Sequence, residues 1–252
     1  MADVTVGIVG CGFIGEALKK WLEEHNSSVK ILVSDPYKGY EDDVSNADVI
    51  FISIHIPTEE DGTQNLTILK EIINNLPTNK PIFIRTTIVP GTADGLSKET
   101  GRRVYFMPEF LTQRTAYEDF CAQPMIFTAE SELLSRIFVG KKYIEMTSLE
   151  AEITKYAHNV FGALKVTYFN GIYDLCKKME ANYKKIQQGI LLSGYINAPH
   201  TMVPGPDGQF GYGGKCFPKD VNALTKMTEN LPIHNLLKEL QPLNIKFRGK
   251  DE

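Results

Sequence analysis

The stretch VTVGIVGCGFIGEALKKWLEEH, residues 4–25, decides the predicted fold. It begins with a short β-branched run that ends at Gly10, as a buried strand does. After Gly12, apolar side chains recur at the spacing of a helix. A strand that passes through a tight glycine turn into a helix is typical of the first part of a parallel sheet covered by helices.

The same alternation continues along the first half of the chain. Apolar runs that predict strands are separated by amphipathic segments that predict helices. The further predicted strands are VKILVSD (29–35), ADVIFISI (47–54), KPIFIRTT (80–87) and RRVYFMP (102–108). We therefore expect an α/β fold in which residues 1–147 form a Rossmann-type domain with a parallel sheet.

The pattern changes near residue 147. The stretch 147–181 contains no proline, and Thr147 precedes Glu150 by the three-residue spacing of a capping box. One long helix is predicted to begin there, and most of the remaining chain reads as helical. We expect residues 148–252 to form a mainly helical domain with one long helix.

The composition argues against several classes of protein. The formal net charge is -4 and no long basic run is present, so a nucleic-acid surface is not expected. The 4 cysteines show neither a C-x-x-C pair nor metal-ligand spacing, so neither a disulfide framework nor a metal site is indicated. No stretch approaches the ~20 apolar residues of a membrane span, and the start lacks the features of a secretion signal. We expect a cytoplasmic protein.

The glycine turn predicts a dinucleotide site. Residues 10–15 read G-x-G-x-x-G, whose glycines let backbone N–H groups approach a pyrophosphate at a helix N-terminus. Asp35 ends the second predicted strand, where a carboxylate accepts hydrogen bonds from an adenosine ribose. This favours NAD, although Lys38 nearby leaves NADP open. The predicted cofactor-binding residues are Gly10, Gly12, Phe13, Ile14, Gly15 and Asp35.

A cysteine loop near the other end of the chain raises a second chemical question. Cys216 lies in GQFGYGGKCFPKD, residues 208–220, between a cluster of glycines and Pro218. Pro218 can occupy the first turn of a helix, which would place the thiol just ahead of a positive helix end, with Lys215 and Lys219 adding charge. A small buried hydrophobe in a turn is the simpler alternative, and the spacing alone does not decide between them.

Several motifs together resemble one family. GQFGYGGKCFPKD is similar to the cysteine loop of the UDP-glucose and GDP-mannose dehydrogenases. RTTIVPGT (85–92), MPEFL (107–111) and ITKYAHNVFGALKVTYFN (153–170) stand in that family's order. NADVIFISIHIPT (46–58) agrees as well. The resemblance covers essentially the whole chain.

The resemblance implies an oxidation of a nucleotide sugar. Members of the family convert a CH2OH group to a carboxylate with two NAD molecules per turnover. Cys216 would form a thiohemiacetal with the aldehyde, which then becomes a thioester that water cleaves. A thiolate suits this chemistry because it adds readily to a carbonyl and leaves readily from a thioester.

The resemblance also assigns the other candidate catalytic residues. Lys155 and Asn159 would stabilise a developing oxyanion, and their i, i+4 spacing places them on one helix face. Asp220 would position or activate water, although a helix-capping role is an equal alternative. Glu109 matches a carboxylate implicated in thioester hydrolysis. Thr87 matches a hydroxyl that holds the catalytic water, or simply ends a strand.

Some positions depart from the family pattern. Thr112 and Gln113 follow PEFL where the family usually has Arg and a second acidic residue, and Gly171 stands where Glu is common. The SGYINAPH segment lacks the Asp-x-Arg-Ile element that contributes to phosphate recognition in the family. The family continues into a second nucleotide-binding domain, so we expect a short form. Analogy with the family implies a homodimer through the long helix. One stripe of that helix, formed by Val160, Leu164, Tyr168 and Ile172, either belongs to the core, which is the default, or forms the dimer seam.

Two other functions remain open on sequence grounds. One is an NAD-binding module, or degenerate relative, that no longer oxidises a nucleotide sugar. The other is a two-electron hydroxyacid dehydrogenase, which would also use a helix-borne Lys and Asn. Neither needs Cys216, so that residue distinguishes them from the nucleotide-sugar dehydrogenase.

Overall fold

The computed structural model describes residues 4–59, 62–76 and 79–249. The ends of the two predicted domain ranges, 1–3 and 250–252, therefore lie outside the described residues. The chain divides into two compact units. The first comprises Met1–Pro57 and Gln64–Lys155, and the second comprises Thr58–Thr63 and Tyr156–Glu252.

The first unit contains a sheet of six strands in the described part of the chain. The order is β3-β2-β1-β4-β5-β6, with only the short β3 antiparallel to its neighbour. The six strands are β1 Val4–Val9, β2 Val29–Asp35, β3 Tyr40–Glu41, β4 Val49–Ile52, β5 Ile82–Ile84 and β6 Val104–Phe106. This order confirms the predicted Rossmann-type sheet, because it reverses at β1 and β4, where such folds bind a nucleotide.

Successive side chains along each strand point to opposite faces of the sheet. Both faces therefore carry apolar side chains, and helices cover each of them. Ile82 and Ile84 of β5 belong to one buried cluster, and Phe83 between them belongs to the other. A smaller parallel pair is formed by β7 Met125–Phe127 and β8 Tyr143–Glu145. The α-helices of the unit that precede residue 148 in the described chain are α1 Phe13–His25, α2 Thr67–Asn75, α3 Thr92–Thr100, α4 Ala116–Ala122 and α5 Ser131–Ile137.

The predicted long helix is present as α6, Ser148–Lys178. It begins with the predicted capping box, in which Thr147 Oγ1 accepts from the Glu150 N–H at 3.2 Å and the Glu150 carboxylate accepts from the Thr147 N–H at 2.7 Å. Its residues up to Lys155 belong to the first unit and its later residues to the second.

The second unit is mainly helical, as predicted. After α6 come α7 Tyr183–Leu191, α8 Phe217–Met227, α9 His234–Leu237 and α10 Leu240–Arg248. Pro218 lies in the first turn of α8, as the sequence indicates. Among residues 4–59, 62–76 and 79–249, no helix combines the length and the apolar character that crossing a membrane requires. The assignment of ranges 1–147 and 148–252 to cofactor binding and to substrate binding with dimerisation remains a prediction.

Candidate active site

The glycine turn between β1 and α1 is packed tightly at two of its three glycines. Gly10 has φ +83°, which favours glycine, and a Cβ there would lie 2.9 Å from the Ser53 carbonyl oxygen. A Cβ at Gly15 would lie 2.1 Å from the Gly10 carbonyl oxygen. A Cβ at Gly12 would meet nothing within 4 Å among the described residues. The turn is therefore closed on its protein side and open at Gly12.

The open side of this turn suits an anionic ligand. Gly12 is the N-cap of α1, and within the described chain this helix end has no side-chain cap. Phe13 and Ile14 begin the helix, so their backbone N–H groups belong to the four that an α-helix leaves unpaired at its start. The helix dipole adds positive potential at the same place. The predicted residues thus form a cradle that fits the pyrophosphate of a dinucleotide.

A cleft beside the turn supplies the rest of the predicted cofactor site. Its volume is about 670 Å³, and Gly10, Gly12 and Asp35 are among its lining residues. One Asp35 carboxylate oxygen accepts from the Cys11 N–H at 2.7 Å and so fixes the turn to the end of β2. Lys38 also lines the cleft, but its ammonium forms an exposed ion pair of 3.3 Å with Glu16. Recognition of a ribose hydroxyl by the Asp35 carboxylate remains a prediction.

The first unit also contains a buried ion pair. Lys155 is 3% exposed, and its Nζ donates to the Glu109 carboxylate at 3.0 Å and also to the Glu109 backbone carbonyl. The other carboxylate oxygen of Glu109 accepts from the Leu111 N–H at 2.6 Å. The structure thus brings together two predicted catalytic residues that lie 46 positions apart in the sequence.

Thr87 is buried just after β5, and its backbone is held by a residue that the sequence analysis did not identify. Gln64 donates from Nε2 to the Thr87 carbonyl at 2.9 Å, and its Oε1 accepts from the Val89 N–H at 2.9 Å. This clamp orders the RTTIVPGT segment. A polar residue between two predicted elements resembles an ordinary loop residue, so no local signal pointed to Gln64.

In the second unit, the predicted residues Asn159 and Asp220 are joined directly. Both are buried, and Asn159 Nδ2 donates to Asp220 Oδ2 at 2.7 Å. The other oxygen of Asp220 accepts from the Lys219 ammonium. Asp220 does lie in the first turn of α8, but its carboxylate is oriented by Asn159 as well as by its sequence neighbour. The ion pair with Asp220 reduces the positive charge that Lys219 can offer to Cys216.

Cys216 is exposed and forms the N-cap of α8. The alternative of a small buried hydrophobe is therefore wrong at this position. Its neighbour Phe217 packs on α6 at Gly162, where a Cβ would lie 2.7 Å from the Phe217 ring. The missing side chain at Gly162 lets the ring approach the helix, and this contact anchors the residue that follows the cysteine.

The glycine loop before Cys216 is held by residues distant in sequence. The Gly211 N–H donates to Asn170 Oδ1 at 3.0 Å, and the Tyr212 N–H donates to Asn244 Oδ1 at 2.7 Å. The Tyr212 carbonyl accepts from Asn244 Nδ2 at 2.9 Å and from Arg248 Nε at 3.0 Å. Sequence reasoning missed Asn244 and Arg248. The only available signal was that a glycine-rich loop needs partners for its backbone.

Comparison with known proteins identifies the family of both units. Residues 16–138 match the NAD binding domain of the UDP-glucose/GDP-mannose dehydrogenase family, and residues 149–245 match that family's central domain. A UDP-glucose 6-dehydrogenase of Rickettsia typhi is 33% identical over 213 residues, which are 77% of this chain and 48% of the relative. A GDP-mannose 6-dehydrogenase of Pseudomonas aeruginosa is 30% identical, over 80% of this chain and 51% of the relative. The chain spans about half the length of these curated relatives.

Solved structures show the same fold. A UDP-glucose dehydrogenase of Pyrobaculum islandicum aligns with a TM-score of 0.78 and 23% identity, over 96% of this chain and 68% of that one. A 3-hydroxyisobutyrate dehydrogenase of Mycobacterium tuberculosis aligns with a TM-score of 0.67 and 14% identity, over 98% and 96% of the two chains. The matched NAD binding domain confirms NAD as the cofactor. With both domain models matched in order along the sequence, the chain belongs to the UDP-glucose/GDP-mannose dehydrogenase family.

Proposed function

We propose that this chain oxidises the CH2OH group of a nucleotide sugar to a carboxylate, with a covalent intermediate on Cys216. The observation that carries the proposal is the second unit's cysteine loop. It holds an exposed thiol at the N-cap of α8, with a buried Asn159–Asp220 pair in the same unit. A protein that only bound NAD would have no use for this arrangement.

The first unit holds the cofactor in the proposal. Backbone N–H groups at the start of α1 would bind the pyrophosphate, and Asp35 would accept hydrogen bonds from the ribose. When bound, NAD supplies a hydride acceptor for each of the two oxidations. Because the cofactor must be exchanged between the two steps, the aldehyde has to stay on the enzyme, and covalent attachment achieves this.

Cys216 provides that attachment. Its thiolate forms a bond to the aldehyde carbon, and the carbonyl oxygen takes up a proton to give a thiohemiacetal. Removal of a hydride from that carbon and a proton from its hydroxyl gives a thioester. Water then adds to the thioester carbonyl, the carbon–sulfur bond breaks and the thiolate is regenerated. One oxygen atom of the product carboxylate comes from that water.

The buried polar groups act on protons and on developing charge. Lys155 has a third N–H besides the two directed at Glu109, and Asn159 has a second amide N–H besides the one given to Asp220. These remaining N–H groups, which have no partner among the described residues, would stabilise an oxyanion formed when the thiolate or water adds. Asp220 and Glu109 would accept protons from the attacking water. The Thr87 hydroxyl would hold that water.

Counting NADH per sugar tests the proposal. The protein is incubated with excess NAD and a limiting amount of UDP-glucose, a UDP-N-acetyl sugar or GDP-mannose, and both NADH and the sugar product are measured. We expect two NADH per uronate formed with one of these substrates. One NADH per sugar, with full activity retained in Cys216→Ala, would instead identify a two-electron dehydrogenase. NAD binding with no turnover of any nucleotide sugar would identify a binding module.

We also propose that two copies associate through α6. Of the stripe Val160, Leu164, Tyr168 and Ile172, three residues pack within the second unit, as a core stripe does, and Tyr168 is exposed. An adjacent stripe is open. Phe161, Tyr168 and Leu175 repeat every seven residues along α6 and are 65%, 58% and 53% exposed. A heptad repeat of large apolar residues is the pattern by which one helix packs along another.

Sedimentation velocity at micromolar concentration tests this association. We expect a dimer for the wild-type chain and a monomer for the Phe161→Glu, Tyr168→Glu double variant. Ile245→Glu, which alters an exposed apolar residue of α10, is the matched control and should remain dimeric. A monomeric wild type, or a double variant that stays dimeric, would rule out this seam.

A cytoplasmic location remains a prediction from the sequence.

A further inference from the structure

Arg85 is a buried cation that the proposed chemistry does not use. It follows β5 and is 1% exposed, with its guanidinium carbon 5.4 Å from the centre of the Phe120 ring. Within the described part of the chain, its Nε and Nη1 are buried and have no hydrogen-bond partner. Buried donors of this kind are rare, and a buried charge without a partner is costly.

The nearby carboxylate does not balance the charge. Glu109 attracts Arg85, but its two carboxylate oxygens already accept from Lys155 Nζ and the Leu111 N–H. The Lys141 ammonium, 5.1 Å from the centre of the Phe120 ring, adds a third cation. Burial and the repulsion of Arg85 lower the pKa of Lys141. Two cations, Arg85 and Lys155, therefore share the single carboxylate of Glu109, and Lys141 adds positive charge near Arg85.

Arg85, which carries the unpaired donors, is one of the residues that line a small cavity. Its volume is about 20 Å³, and its lining includes Arg85, Glu109, Phe110, Phe120 and Gln123. One water-sized particle needs roughly 10–15 Å³ measured in this way. The cavity thus has room for a single small particle.

We propose that this cavity is a binding site for one monatomic anion of the size of chloride, held by Nε and Nη1 of Arg85. Such an anion accepts hydrogen bonds from the two donors and also offsets the excess positive charge. A neutral water molecule would leave that charge unbalanced. The bound anion lies beneath the segment 108–111, which carries Glu109. It therefore stabilises the part of the first unit that presents this carboxylate, whatever reaction the protein catalyses.

Thermal unfolding in matched salts tests the proposal without any assay of activity. Trp21, the 1 tryptophan of the chain, is buried in the first unit and reports its unfolding by fluorescence. At about 0.1 M ionic strength, where charge screening is equal, the Tm is compared in sodium chloride and in sodium gluconate. We expect chloride to raise the Tm of the wild-type protein by about 2–4 °C.

Two variants make the comparison specific. Arg85→Met removes the proposed anion-binding group, and the effect of chloride on the Tm should disappear. Arg103→Met removes an exposed arginine of the same unit that is ion-paired with Glu130, and the chloride effect should persist. Equal Tm values of the wild type in both salts, or an effect that persists in Arg85→Met, would overturn the proposal.

Bromide diffraction locates the ion and remains informative if Arg85→Met does not fold. Crystals of the wild-type protein soaked in sodium bromide should show an anomalous peak within about 3.5 Å of Nε or Nη1 of Arg85. Density for a water molecule there, with no anomalous signal, would contradict the proposal.

Discussion

Two glycine-rich turns lead into helices in this molecule, and they are held by different kinds of contact. The turn before α1 is held mainly by close backbone packing of Gly10 against Gly15 and Ser53, with one side-chain bond from the Cys11 N–H to Asp35. The loop before α8 is held by side chains of α6 and α10, Asn170, Asn244 and Arg248 among them. Among the residues described, neither helix has a side-chain hydrogen bond that caps its N-terminus.

The difference indicates what each turn presents. At α1 the N-cap is Gly12, so the helix end offers only backbone N–H groups, which suits a ligand that brings its own negative charge. At α8 the N-cap is Cys216, so the helix end presents a thiol, which the proposal takes as the nucleophile. We therefore expect changes at the first turn to act on cofactor affinity and changes at the second to act on turnover.

The largest expected effect is that of removing the thiol. Cys216→Ala should lower carboxylate formation by at least about 1,000-fold, as expected when a nucleophile is lost, and leave the Kd for NAD unchanged. Product is measured by mass spectrometry and NAD affinity by calorimetry. Cys121→Ala, at an exposed cysteine of the first unit, is the control and should keep full activity. A Cys216→Ala protein that still forms carboxylate at the wild-type rate would remove the distinction between the two turns.

Breaking the buried ion pair of the first unit should have the next largest effect. Lys155→Met leaves the Glu109 carboxylate buried without its ion-pair partner, at a cost of about 3–5 kcal/mol in the free energy of unfolding. Urea unfolding followed by Trp21 fluorescence measures this. Lys70→Met, at an exposed ion pair with Glu99, should cost at most about 1 kcal/mol. Equal costs for both variants would show that the Lys155–Glu109 pair is not buried in solution.

Two alanine substitutions in the first turn should separate packing from binding. Gly15→Ala forces a Cβ against the Gly10 carbonyl and should unfold or strongly destabilise the first unit. Gly12→Ala meets no protein atom within 4 Å in the described chain, so the Tm should change little. Its methyl group would occupy the space of the pyrophosphate, and we expect the Kd for NAD to rise by about 10-fold or more. An unchanged Kd in Gly12→Ala would place the cofactor elsewhere.

Asn244→Leu should affect only the second turn. It removes both side-chain bonds to the Tyr212 backbone and leaves that buried N–H and carbonyl with fewer partners. We expect kcat to fall by about 10-fold, because a small displacement of a reactive group is costly, while the Kd for NAD stays constant. Wild-type kcat in this variant would show that the loop does not depend on α10.

These expectations also show how much could be read from the sequence. The turn before α1 was predictable, because glycine spacing, strand and helix periodicity and Asp35 all lie within one short stretch. The roles of Glu109 and Lys155 came from the family resemblance, since no local pattern joins two residues 46 positions apart. Arg85 and Asn244 gave no signal at all. A polar residue at a strand end or on a helix reads as solvated until its tertiary partners are known.

A further expected effect is a pH dependence of the first unit. Glu152 is buried and accepts from the Gly91 and Ala93 N–H groups at the start of α3, and burial raises its pKa from 4.5 to about 7. Because the folded protein binds this proton more tightly, the stabilisation is full below pH 4.5 and is lost as the pH rises through about 7.

Trp21 fluorescence in urea at several pH values checks this dependence. Between about pH 4.5 and 7, the wild-type free energy of unfolding should fall relative to that of Glu152→Gln, which has no carboxyl group to titrate. Parallel curves for the two proteins over this range would show that Glu152 does not titrate there.

The most direct test of the central claim is to find the covalent intermediate on Cys216. Glu109→Gln, in which thioester hydrolysis should be slow, is mixed with NAD and the nucleotide sugar that yields NADH, quenched in acid and mapped by peptide mass spectrometry. We expect a sugar-derived acyl group on the peptide that contains Cys216, and hydroxylamine should remove it. An unmodified Cys216 in a sample that has formed NADH at two per sugar would contradict the claim.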